Sequence, residues 1–138
     1  MPGGYYFKAL AQWADYRTRA RRAEFWTYTI VAWLLEIFVF ALTATTVNSA
    51  IDQDTRALHL DEVTTVGWIF LAALAVTTVF VLVPFAAVAV RRMHDTGRSG
   101  WWAIFLLIVP IVTYIIALFD GQPITNKYGT DPKSRSQS

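Results

Sequence analysis

Three stretches of this chain, residues 25–47, 63–90 and 101–119, together contain a single acidic or basic residue, Glu36. As helices they would be about 34, 42 and 28 Å long at about 1.5 Å per residue, against a bilayer hydrocarbon core of about 30 Å. Each is long enough to cross once. A soluble chain of 138 residues would carry amphipathic helices with a polar face. Residues 63–90 are instead apolar or hydroxylated nearly all round, and threonines in such a run can bond their own helix backbone. Only 16% of the chain is charged, well below the roughly 25% usual in soluble domains. The expected fold is therefore all-α: a single membrane domain over 1–138, a polytopic helical bundle of about three transmembrane helices.

Around these spans the polar residues are ordered. Residues 5–16 are aromatic and amphipathic but too short to cross, which predicts an N-terminal interfacial helix. A basic collar follows, from Arg17 to Arg22. The segment 48–62 carries Asp52, Asp54, Asp61 and Glu62 against Arg56 alone, whereas 91–100 is basic. Lysine and arginine stay on the cytoplasmic side, so the N-terminus and 91–100 are expected inside and 48–62 outside. Pro84 is expected to bend the last turns of the second span. A third span over 101–119 would place the polar tail, 120–138, in the periplasm, while a break at Pro110 would instead make that segment a re-entrant hairpin. The N-terminus lacks the pattern of a cleaved secretory signal, so the first span is expected in the mature protein. Cysteine is absent, which removes disulfides, thiolate nucleophiles and cysteine metal sites. The net charge is only +2 and topology accounts for its basic clusters, so nucleic acid is not an expected partner.

Three motifs then stand out. The run from Arg91 to Trp102 (RRMHDTGRSGWW) resembles the central signature of the domain of unknown function 805 family, small bacterial inner-membrane proteins. The run from Arg19 to Trp26 (RARRAEFW) is similar to that family's upstream segment, with Arg19, Arg22, Glu24 and Trp26 matching. The run from Asp120 to Pro132 (DGQPITNKYGTDP) is similar to its closing pattern through Asn126, Tyr128, Gly129 and Pro132. One departure is Thr18, where the family has glycine, which puts a tight turn there in question. The resemblance covers nearly the whole chain. It implies a bacterial inner-membrane location and this architecture, and no activity.

The residues of 91–100 admit two readings. Arg91, Arg92 and Arg98 around Gly97 and Gly100 suit an anion, since guanidinium groups and converging backbone N–H groups recognise phosphate; an anionic phospholipid headgroup fits. Alternatively the arginines fix topology, Trp101 and Trp102 sit in the interfacial aromatic belt, and Asp95 pairs with an arginine to hold the turn. Ser99 is placed to cap the third helix. His94 and Asp95 could move a proton or join a metal site, but the second histidine, His59, lies in the segment expected on the other side. Ser99 near His94 lacks the surroundings of a nucleophile. No catalytic centre, metal or cofactor is expected. Glu36 costs several kcal/mol if ionised toward lipid, so it should face protein, its stripe of Thr29, Trp33, Phe40 and Thr43 packing inward. A protonated acid bonded to Thr77 or Thr78 is the structural reading, a proton or cation relay the functional one. The expected role is a non-enzymatic membrane or scaffold component that contacts anionic lipid or a protein partner. The alternative is a subunit of an oligomeric channel or transporter, a homo-oligomer whose path Glu36 faces.

Overall fold

The computed structural model describes residues 2–51 and 59–133. Helix α1 spans Pro2–Ala11, α2 Arg22–Val47, α3 Thr65–Asp95, α4 Phe105–Ile108 and α5 Pro110–Leu118; among the described residues no β-strand forms, and an isolated bridge joins Asn126 to Gly129. At about 1.5 Å per residue, α2 and α3 are roughly 39 and 46 Å long, enough to cross a bilayer. Only 11% of the most apolar window of either helix is buried, and Leu34, Phe38, Val76 and Val79 are exposed. A soluble core helix would be mostly covered; these surfaces suit lipid.

Backbone contacts divide the chain into two compact units, Ala32–Val81 and Met1–Val31 with Leu82–Ser138. In the first, Thr43 Oγ donates to the carbonyls of Val39 at 2.9 Å and Phe70 at 3.3 Å, tying α2 to α3. Thr46 and Thr77 bond carbonyls of their own helices, which satisfies hydroxyls where water is absent. Thr78 donates to Glu36 Oε2 at 3.1 Å, the bond expected of that acid. The rest of the expected stripe is corrected. Thr43 is buried, but Trp33 is 55% and Phe40 62% exposed. Helical geometry gives the reason: at about 100° per residue, Trp33 and Phe40 both lie on one flank of Glu36, while buried Ala32 and Thr43 lie on the other, and the α3 contact follows that second flank.

In the other unit Thr29, also of the expected stripe, is buried and bonds Phe25 O at 2.8 Å. Here α1 packs on the start of α2, with Ala9 buried and Tyr6 stacked on Tyr28 at 5.5 Å. The expected helix 5–16 ends early, at Ala11. The chain goes on in turns, with Trp13 N on Leu10 O at 3.2 Å and Asp15 N on Gln12 O at 3.1 Å; the Asp15 carboxylate then accepts from the N–H groups of Arg17 at 2.9 Å and Thr18 at 3.2 Å and from the Thr18 hydroxyl, offering the backbone a further turn. Desolvation raises its pKa, but these bonds prevail and hold it below the ordinary aspartate value. That turn closes with threonine at position 18.

Helix α3 runs on through Pro84 and past Val90 to Asp95, so Arg91 to Asp95, expected in a loop, form its last turns. Nothing breaks the helix before Gly97, whose φ of +79° suits glycine. Gly97 N donates to His94 O at 3.1 Å and Arg98 N to Met93 O at 2.9 Å, the Schellman pattern of a helix C-terminus.

The expected third span is not one helix. Residues Gly100–Ile104 form a 3-10 turn, then come α4 and α5, of four and nine residues. Val109 breaks them at φ −142°, ψ 79°, because Pro110 disfavours helical geometry in the residue before it. Ser99 precedes the 3-10 turn without a side-chain cap bond, contrary to expectation. From the turn that ends α3 the segment runs out and returns to that helix: Phe119 O accepts from Arg92 and Gln122 N donates to Asp95 O at 2.8 Å. The tail then bonds Arg19, Arg21 and His94. These contacts hold the tail, expected opposite the N-terminus, against the residues that precede α2 and against the end of α3.

Candidate functional site

The three motifs converge on the end of α3. Glu24, on the first turn of α2, is fully buried, and Arg91 Nη1 donates to its Oε1 at 2.6 Å with both side chains at 0% exposure. Lys8 of α1 donates to Glu24 Oε2 at 2.7 Å, and Arg91 Nη1 also donates to Gln12. Asp95 takes two arginines. Arg19 Nε donates to Oδ1 at 3.0 Å, and Arg92 Nη1 to Oδ2. Four cations thus surround two carboxylates, and backbone carbonyls accept further N–H groups of Arg19 and Arg92. Arg92 Nε reaches Ala117 O at 3.3 Å and Nη2 reaches Phe119 O; these carbonyls, at the end of α5, lack helical partners. Arg19 Nη1 donates to Ile124 O at 2.7 Å and Gly129 O at 3.2 Å, and Nη2 to Gln122 O.

Planar guanidinium groups can hold several carbonyls at fixed angles, so Arg19 and Arg92 stitch the tail and the hairpin to α3. Ala20 N adds a backbone bond to Arg91 O at 3.1 Å. Gly121 is required by this packing: a Cβ there would fall on the Asp95 carboxylate. Asn126 Nδ2 donates to His94 O at 3.1 Å and its Oδ1 accepts from Tyr128 N at 2.9 Å, a local turn. That turn lays the Tyr128 ring on the His94 imidazole, 3.6 Å between centroids and 5° between planes.

The expected site residues therefore separate. Arg91 and Arg92 are 0% and 1% exposed and engaged, so they are not presented to headgroups; Gly97 ends a helix instead of opening an anion cradle. Arg98 is half-buried. Asp95 is held by arginines as the topological reading expected, and His94 does not pair with it, since His94 Nδ1 lies 3.2 Å from Thr18 O and donates to that carbonyl. Arg22, exposed, reaches Leu118 O at 3.2 Å and Asp120 at 3.6 Å. Trp26 packs on Phe25 and Tyr114, Arg21 donates to Pro132 O at 2.7 Å, and Trp101 and Trp102 are exposed. Gly100 opens the 3-10 turn. Among the described residues no three His, Asp or Glu side chains gather as metal ligands would. Lys8 and Gln12 were missed by sequence reasoning, having no motif signal of their own; Gly121 and Gln122 stand within the closing motif.

The three motifs that resemble one family thus meet in a single ionic knot. The family model described as "Protein of unknown function (DUF805)" matches residues 13–130. This chain belongs to that family. It is 35% identical over 136 residues to the inner membrane protein YhaH of Escherichia coli K12, covering 94% of this chain and 96% of that one. It is 31% identical over 133 residues to the inner membrane protein YhaI of the same organism, covering 94% and 95%. No solved structure matches the chain. With two helices among the described residues long and apolar enough to cross, the protein is an integral bacterial inner-membrane protein without an established molecular activity.

Proposed function

We propose that this family member is a non-enzymatic component of the inner membrane that contacts anionic lipid or a protein partner, with its ionic knot on the cytoplasmic side and residues 48–62 in the periplasm. The observation that carries this reading is that the motif charges meet inside the protein: Arg19 and Arg92 pair with Asp95 and with backbone carbonyls, and Arg91 pairs with Glu24, so their role is to hold an assembly surface in shape. The lysine and arginine asymmetry supports the orientation. The tail follows the knot to the cytoplasm. A photoreactive amino acid in place of Trp101, 80% exposed beside the knot, tests the reading in living cells. Adducts with anionic phospholipid or with one discrete protein are expected; solvent-quenched product alone would overturn it.

A second reading, the oligomeric channel or transporter subunit, is favoured by one observation. Glu36 Oε1 is buried without a hydrogen-bond partner among the described residues, which leaves an acceptor for a permeating proton or cation. Reconstituted vesicles test it: a leak that Glu36→Gln abolishes supports transport.

A further inference from the structure

Beside the knot lies a cavity of about 790 Å³, within the roughly 300–1,000 Å³ of ligand pockets. Its walls change character along its length. Leu82, Phe85, Ala86 and Val90 of α3 face Ala103 and Ile104 of the hairpin, all from the apolar runs. The other end is made by His94, Ser99 and Tyr128, which follow those runs and lie among the polar motifs. The apolar part therefore belongs to the depth of the hydrocarbon and the polar part to the headgroup region, the order in which a membrane lipid presents its own parts.

Two cations adjoin residues of the polar end in sequence. Lys127 Nζ stands 4.9 Å from the Tyr128 ring centroid, and Arg98 directly precedes Ser99, with no carboxylate partner among the described residues. The carboxylates nearest them in sequence are engaged elsewhere, Asp95 by Arg19 and Arg92 and Asp131 by Lys133 N. Two cations without a matching anion complement a phosphate.

We propose that this cavity is a phospholipid site, an acyl chain lying along α3 between Leu82 and Val90 and an anionic headgroup at Arg98, Ser99 and Lys127. The site deepens the reading of the protein as a lipid-contacting component and rests on it. Of the arginines that sequence alone offers for headgroup binding, it assigns only Arg98.

The test is native mass spectrometry of the full chain released from the membrane in mild detergent. Wild type should carry a phospholipid through purification, enriched in phosphatidylglycerol or cardiolipin over the bulk membrane. Ala86→Phe with Ala103→Phe fills the apolar end and should lose that mass; Arg98→Gln with Lys127→Gln should keep a lipid but lose the anionic enrichment. A wild type without lipid, or a folded filled variant with undiminished lipid, overturns the site, and unchanged headgroup composition in the polar variant overturns its anionic end. Should the filled variant not fold, a phospholipid with a photoreactive acyl chain decides on wild type: labelling at Leu82 or Ala103 supports the site, and labelling confined to exposed Ile69 overturns it. The broader reading fails separately. A protein adduct at position 101 with an empty cavity removes the lipid site and leaves that reading standing; solvent-quenched product alone at 101 together with an empty cavity removes both.

Discussion

Removing Glu24 should be among the most damaging single changes in this protein. Its bond to Lys8 is a minor part, because the Lys8 side chain is 43% exposed and such pairs are worth about 1 kcal/mol or less. Its pairing with Arg91 is different, since neither side chain reaches solvent. Arg91 already has Nε and Nη2 without partners among the described residues; after Glu24→Ala, Gln12 alone would face the guanidinium among the contacts seen. An uncompensated buried charge of this kind costs about 3–5 kcal/mol. Arg91→Met should cost less, because Lys8 remains to neutralise Glu24. The double variant Glu24→Ala/Arg91→Met should cost less than the sum, with a coupling of about 1–3 kcal/mol. Reversible unfolding in mixed micelles, titrated with dodecyl sulfate and followed by far-ultraviolet circular dichroism, measures all four proteins. A Glu24→Ala loss below about 1 kcal/mol, or single costs that add within about 0.5 kcal/mol, would refute the argument that this pair anchors α2 to α3.

Gly121→Ala should destabilise by at least about 2 kcal/mol, because the new Cβ meets a carboxylate pinned by two arginines; equal unfolding midpoints for variant and wild type would contradict that packing. Arg19→Ala removes the donors to Gln122, Ile124 and Gly129 carbonyls, so limited proteolysis should cut residues 122–133 faster while the spans stay protected, and an unchanged digestion pattern would argue against the stitch. Glu36→Gln should stay within about 1 kcal/mol of wild type, since an amide can still accept from Thr78, whereas Glu36→Ala should lose about 1–2 kcal/mol; similar stability of the two variants would deny that bond its weight. Single cysteines in this cysteine-free chain test sidedness with impermeant thiol reagents on spheroplasts: one at Gln53, outside the described residues, should be labelled, and those at Thr96 and Thr130 should be protected alike. Labelling at Thr130 but not at Thr96 would separate the tail from the knot.

The membrane character, the first two spans, the threonines that bond their own helices and the partnership of Glu36 with Thr78 were all legible in the sequence. Each depends on local periodicity or on the cost of burying a polar group in hydrocarbon, and both can be read residue by residue. The break before Pro110 was legible as an alternative to a span, but its consequence was not. Which way the chain turns after that break is decided by Arg92, which captures carbonyls of Ala117 and Phe119, contacts between residues far apart in sequence. The arginines mark the same boundary. A guanidinium suits a cytoplasmic flank, a headgroup or a buried carboxylate, and residue type alone does not choose among them. Tertiary structure chooses by burial: it sets Glu24 against Arg91, 67 positions apart, and Arg19 against Asp95, 76 apart, inside a volume closed to water. There a paired charge is strongly favoured over a free one, and so Arg91 and Arg92 turn inward while Arg98 stays half-buried.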